Sequence, residues 1–176
     1  AVIDSMLDRF EKVALPLWNQ NRGQTKLDLL GWVTLSSIVE KEAVIPQERS
    51  VIAGVFSNRL NRGQKLESDP TVEYALKIRQ TPDRPLTFTD IRQPSPYNTY
   101  LNPGLPPGTI AAPGKASLEA TLAPAKTDYV FFVARYDGTH VFSKTLAEHE
   151  AAVKRIRAER NARTRSTPQP AASPSP

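Results

Sequence analysis

Tyr129-Val-Phe-Phe-Val-Ala-Arg-Tyr-Asp-Gly-Thr-His-Val-Phe-Ser143 decides the fold class. Tyr129–Ala134 and Thr139–Ser143 are rich in the aromatic and β-branched residues that suit a pleated, half-buried surface. Asp137-Gly138 between them is a strong two-residue hairpin signal, because Gly adopts positive φ at no steric cost. Most of the chain before it reads at helical spacing, so one hairpin beside several helices predicts an α+β domain, mainly helical, with a small antiparallel sheet.

Downstream, Thr145-Leu-Ala-Glu148 is a capping box opening a last helix, with His149, Ala152, Val153 and Ile156 on one face. From 164 to 176 Pro, Ser, Ala and Arg dominate, which predicts a disordered tail after a domain spanning 1–163. Upstream, Ala116 to Leu122 reads as a short helix. Residues 80–114 are punctuated by eight prolines and three glycines. A loop of that length in a compact domain is functional or disordered, and its aromatics, Phe88, Tyr97 and Tyr100, favour an ordered one.

Further back, Asp69-Pro70 predicts a helix start with Asp69 as N-cap and Pro70 in the first turn. Gln47 to Arg62 is a helix with Val51, Ile52, Val55, Phe56 and Leu60 inward and Gly63 as its stop. Leu27 to Ala43 is another, ended by Pro46. The first helix places Val2, Ile3, Met6, Phe10, Val13, Ala14 and Leu17 at helical spacing and is expected to end near Pro16.

The 176 residues include 23 Lys plus Arg and 18 Asp plus Glu, a net charge of +5. Six of the bases and one acid, Glu159, lie in 154–165, so the body to Val153 is balanced at 17 of each. A nucleic-acid surface would spread basic residues over the body with aromatics between them, and this chain does not. Its basic end reads as solvated helix and tail. There is no Cys and only His140 and His149, so thiolate chemistry is excluded and a catalytic zinc is not expected. No apolar run is long enough for a membrane helix. The opening Ala1-Val2-Ile3 lacks an initiator Met and reads as a processed or excised fragment.

One residue breaks the pattern of its helix. In Leu35-Ser-Ser-Ile-Val-Glu-Lys-Glu42, residues Leu35, Ile38, Val39 and Glu42 fall on a single stripe, extended one turn earlier by Trp32. Glu42 therefore stands where an apolar residue belongs, while Glu40 is expected on a solvated side beside Ser36 and Ser37. Desolvation and the negative end of the helix dipole both favour a protonated Glu42. A carboxylic acid kept neutral near pH 7 suits general acid catalysis on a glycosidic oxygen. Pattern alone leaves a second reading open, an ion pair with Arg49 or Arg59. Likewise Asp69 reads as an N-cap, Glu67 as exposed or as a second carboxylate, and the two histidines as core residues. Pro96-Tyr-Asn-Thr-Tyr100 offers the aromatic faces and amide that hold sugar rings, or simply packs.

Ser37-Ile-Val-Glu-Lys-Glu-Ala43, Glu48-Arg49, Val55-Phe-Ser-Asn-Arg-Leu60, Ser68-Asp-Pro-Thr-Val72, Pro96-Tyr-Asn-Thr-Tyr100, Gly104-Leu-Pro-Pro-Gly108 and His140-Val-Phe142 together resemble the endolytic murein transglycosylases, or YceG-like proteins. The motifs run in that family's order from about residue 30 to 153. The resemblance implies lytic cleavage of the β-1,4 bond between N-acetylmuramic acid and N-acetylglucosamine in peptidoglycan, giving 1,6-anhydro ends. It matches the family's catalytic glutamate to Glu42 and implies a glycan groove lined by Tyr97, Asn98, Thr99 and Tyr100, with Glu67 and Asp69 near it. It implies no metal or cofactor, and partners among cell-wall synthesis or division proteins. It also implies a bacterial domain facing the periplasm or extracytoplasmic space, anchored in the inner membrane. Family members usually carry a membrane helix and a LysM-like domain upstream. This chain departs in two places: Glu67 stands where Gln is common, and Ala75-Leu76 follows Thr71-Val-Glu-Tyr74 where a glycine is expected. Two rival functions are a muramidase that uses water, with Asp69 or Glu67 as base, and a non-catalytic peptidoglycan-binding or scaffold module.

Overall fold

The computed structural model describes residues 1–166 except 82 and 136, and the side chains of 163–166 are outside the description. The elements run α1 (Val2–Asn21), α2 (Leu29–Glu42), α3 (Arg49–Asn61), α4 (Asp69–Leu76), α5 (Lys115–Leu122), β1 (Phe131–Ala134), β2 (His140–Ser143) and α6 (Leu146–Ser166), with single 3-10 turns at Arg22–Gln24, Pro46–Glu48 and Asp90–Arg92. This is the mainly helical α+β architecture read from the sequence. The tail expected from 164 lies, for 167–176, outside the described residues, and α6 runs on to Ser166.

α2 is the central element. Every residue from Thr34 to Val39 is buried. Leu35, Ile38 and Val39 pack with Ile52, Ala53 and Phe56 of α3 and with Leu66. Burying apolar side chains of this size stabilises by about 1.5–3 kcal/mol each. The opposite side of α2 meets α5. There the Trp32 indole donates to the Leu118 carbonyl, and the Ser36 and Thr121 hydroxyls bond across the contact. Hydroxyls in place of bulky side chains let the two helices approach while the Ser36 and Thr121 hydroxyls satisfy each other. α3 comes so close to the 125 segment that a Cβ on Gly54 would sit 2.6 Å from the Ala125 carbonyl oxygen. Only glycine fits there.

α1 differs from its reading in two ways. It continues through Pro16 to Asn21, because Trp18 stacks on Trp32 with ring centroids 5.4 Å apart and holds the last turn in place. That contact outweighs the one backbone bond proline removes. The inward stripe begins only at Phe10, since Val2, Ile3 and Met6 are exposed, the first of them by 77%.

The hairpin pairs Phe131 with Ser143 and Ala134 with His140, antiparallel, and Gly138 takes φ +85° in its turn. Phe132 reaches back edge-on to Phe56. The predicted capping box is present: the Thr145 hydroxyl accepts from the Glu148 amide, and the Glu148 carboxylate accepts from the Thr145 amide. α6 then lays Ala152 and Ile156 into the core and closes the hairpin side of the cleft described next.

Candidate active site

The last turn of α2, the first turn of α4, the hairpin and α6 enclose a cleft of about 670 Å³. Glu42, the final residue of α2, lies in it half-buried. Among the described residues its side chain accepts one hydrogen bond, from the Ser68 hydroxyl, at 2.6 Å to Oε1. No ion pair to Glu42 occurs among the described residues, so the pairing with Arg49 or Arg59 is not formed. Burial pushes the Glu42 carboxyl up to about 7, with the Asp69 and Glu73 carboxylates adding to the rise and the Ser68 hydroxyl opposing it. The apolar stripe therefore has the predicted consequence, an acid half-protonated near neutral pH.

Ser68 can reach Glu42 because its backbone is held by others. Its amide donates to the Thr99 hydroxyl, which also bonds the Thr71 hydroxyl at 2.8 Å. The neighbouring Glu67 amide donates to the Thr99 carbonyl. The 97–100 loop is thus stitched to the start of α4. Ser68, not Asp69, occupies the N-cap position of α4. The N-cap role read for Asp69 is not the one it has: as the first helical residue it turns its carboxylate sideways, accepting from the Tyr100 hydroxyl at 2.6 Å and from the Gln80 amide at 3.1 Å. Burial first, then the Asp69 charge, raises the Tyr100 hydroxyl far above its ordinary value, so it remains a donor.

Glu67 also lines the cleft, in a left-handed conformation at φ +51°. It pairs with Arg59 at 2.8 Å. Arg59 is nearly buried and donates as well to the carbonyls of Val130, Lys65 and Leu66, with its guanidinium over the Phe131 ring. One arginine thereby ties α3, the strand leading to the hairpin and the Glu67 turn together.

Of the six groove residues implied by the resemblance, the cleft brings together Glu67, Asp69 and Tyr100. Asn98 and Thr99 are each 1% exposed and brace the loop instead of facing solvent. The Asn98 amide nitrogen donates to the carbonyls of Ile91 and Gln93, and its oxygen accepts from the Tyr100 amide. Tyr97 faces a separate depression, against Tyr74 with ring centroids 4.8 Å apart. A Tyr-Asn-Thr-Tyr run reads as ligand-facing because its residue types suit sugars, and only the fold shows which of them turn inward.

His140 was read as a core residue, and its side chain is 5% exposed, yet it lines the cleft. Glu48 grips it twice, accepting from its backbone amide at 3.0 Å and meeting Nδ1 at 2.7 Å. His149 stacks on Phe131 at the α6 side of the cleft, and burial lowers its pKa. Gln80, and Ser68 although it opens one of the motifs, are site residues that local sequence rules do not single out. Ser68 stood one position before a better-looking cap, and Gln80 stood at the edge of the loop. Glu40, expected in solvent, instead accepts from the Gly114 amide and the Ser117 hydroxyl at the start of α5. No group of three or more His, Cys, Asp or Glu side chains is arranged to hold a metal ion among the described residues.

The sequence model of the YceG-like family matches residues 1–155. The chain is 44% identical over 138 residues to a Bacillus subtilis protein named endolytic murein transglycosylase, covering 78% of this chain and 38% of that protein. A Streptococcus pneumoniae protein of the same name is 34% identical over 155 residues, covering 85% of this chain and 28% of its own. The crystal structure of a putative yceG-like protein from Listeria monocytogenes superposes with a TM-score of 0.73 at 42% identity, over 80% of this chain and 45% of that one. The chain spans well under half the length of the curated relatives it matches. With a family match over 155 residues and this level of identity, the chain belongs to the YceG-like family.

Proposed function

We propose that this domain is a lytic transglycosylase that cuts the β-1,4 bond between N-acetylmuramic acid and N-acetylglucosamine inside peptidoglycan strands. The observation that carries the proposal is Glu42: a carboxyl raised to about 7, bound among the described residues by one hydroxyl and no cation, in a cleft of about 670 Å³. The name shared by the two curated relatives supports the same reaction class.

In this mechanism the protonated Glu42 gives its proton to the leaving glycosidic oxygen while oxocarbenium character develops at the muramic anomeric carbon. The resulting carboxylate then takes the proton of the muramic C6 hydroxyl. That oxygen closes on the anomeric carbon, so the bond to the leaving oxygen is replaced by one to O6 and no water is consumed. Glu42 ends protonated, ready for another turn. Ser68 holds the carboxylate through both steps. Asp69 and Glu73 favour its protonated form by like-charge repulsion.

A water-using muramidase needs a second carboxylate free to activate water. Both candidates are engaged, Glu67 by Arg59 and Asp69 by Tyr100 and Gln80, which favours the single-acid route. The reading also takes the domain to lie on the outer side of the bacterial inner membrane, held by an upstream anchor and working beside cell-wall synthesis or division proteins.

End-group analysis by mass spectrometry of purified glycan strands tests it. Wild-type digests should carry 1,6-anhydro ends and Glu42→Gln should leave strands uncut. Reducing ends, one water heavier, would favour the muramidase. Cutting by Glu42→Gln would remove Glu42 from the mechanism.

A further inference from the structure

A second depression, of about 610 Å³, lies at the ends of α2 and α4, lined by chain neighbours of residues in the Glu42 cleft. Glu42 and Asp69 line the first, whereas their chain neighbours Lys41 and Pro70 line the second. A further link is Glu73, which borders the second depression and accepts from the amide of Gln80, a residue of the first.

Its surface has two chemistries side by side. The Tyr74 and Tyr97 rings lie tilted against each other, and Tyr74 is 46% exposed. Such faces pack on the apolar faces of sugar rings. Around them stand Lys41, Lys77 and Arg79, all exposed, and none has an ion-pair partner among the described residues. Lys77, at φ +54°, is the left-handed residue that ends α4, and this helix end projects it beside the two tyrosines.

We infer that this second depression is a distal subsite for the same strand. Tyr74 and Tyr97 would seat a sugar beyond the cut bond, and Lys41, Lys77 and Arg79 would receive the carboxylates of the peptides that strand carries. The inference rests on the proposed glycan-cutting function and extends it, since a strand gripped on both sides of Glu42 is cut internally and not from an end. It also gives Tyr97 a glycan-facing place that the Glu42 cleft does not.

The test compares Tyr74→Ala and Lys77→Gly with wild type on long and short glycan strands, with and without stem peptides. Both positions are exposed, and thermal unfolding checks that each variant folds. Tyr74→Ala should lower the ratio of kcat/KM for long over short strands about tenfold, the scale of one lost stacking contact. Lys77→Gly should weaken only peptide-bearing strands. Both variants keeping the wild-type length preference would overturn the subsite. Binding to long strands, measured by calorimetry in a Glu42→Gln background, separates this claim from the reaction. If wild type binds but does not cut, and the length preference in binding still needs Tyr74, the reaction falls and the subsite stands.

Discussion

Glu40 and Glu42 are two residues apart on one helix, both half-buried, and their surroundings are opposite. Glu40 meets donors: a backbone amide and a hydroxyl at the N-terminus of α5, where the helix dipole also welcomes negative charge. Glu42 meets one hydroxyl, a wall of apolar side chains and the field of two other carboxylates. The first environment satisfies the side chain with hydrogen bonds, so Glu40 is mortar between α2 and α5. The second resists a charge, so Glu42 is stored as an acid. Chemical type and helix are the same, and what differs is the surroundings: donors around Glu40, burial and neighbouring carboxylates around Glu42.

Exchanging each acid for its amide should separate the two regions most sharply. Glu42→Gln should lower glycan cleavage by about 10²–10⁴-fold, the range for a positioned general acid. Glu40→Gln should keep cleavage and lose about 1–2 kcal/mol of stability in denaturant unfolding, from the weakened α5 cap. Loss of cleavage in both with folding intact would erase the distinction.

Stability should move the other way at Glu42. Its folded pKa, about 7, lies above its ordinary 4.5, so between those values the folded state holds a proton that the unfolded chain releases. By linkage this lowers stability as pH rises through that window and leaves the full cost in place above it. Glu42→Gln should therefore be more stable than wild type at pH 8, by up to about 3 kcal/mol for a shift of this size. The gain should fade toward pH 4. Equal stabilities across the window would mean that the cleft does not oppose the charge.

Ser68 is the smallest lever. Its hydroxyl is the one group lowering the Glu42 pKa, so Ser68→Ala should move the alkaline limb of the pH–rate profile upward. Activity should fall several-fold, in line with about 1 kcal/mol for one hydrogen bond. An unmoved limb would show that Ser68 acts only on loop structure.

Much of this was legible in the sequence wherever a local rule coincides with the tertiary solution. The α2 stripe, the Asp137-Gly138 hairpin and the Thr145–Glu148 box are set by near neighbours. Where long-range contacts decide, local rules erred. Pro16 reads as a stop until Trp18 finds Trp32, and Asp69 reads as a cap until Tyr100 and Gln80 claim its carboxylate. Ser36, Ser37 and Glu40 read as a wet face because hydroxyls and acids are commonly exposed, and nothing nearby in the chain announces α5. Glu42 is legible because an acid on an apolar stripe is itself a local pattern. Its Ser68 partner is not, because 26 residues separate the two.

Everything proposed for the cleft depends on the folded protein keeping Glu42 protonated into the neutral range. A carbon-13 NMR titration of the Glu42 carboxyl, assigned by its disappearance in Glu42→Gln, measures this directly. The midpoint should fall at about 7. A midpoint at the ordinary 4.5 would contradict it.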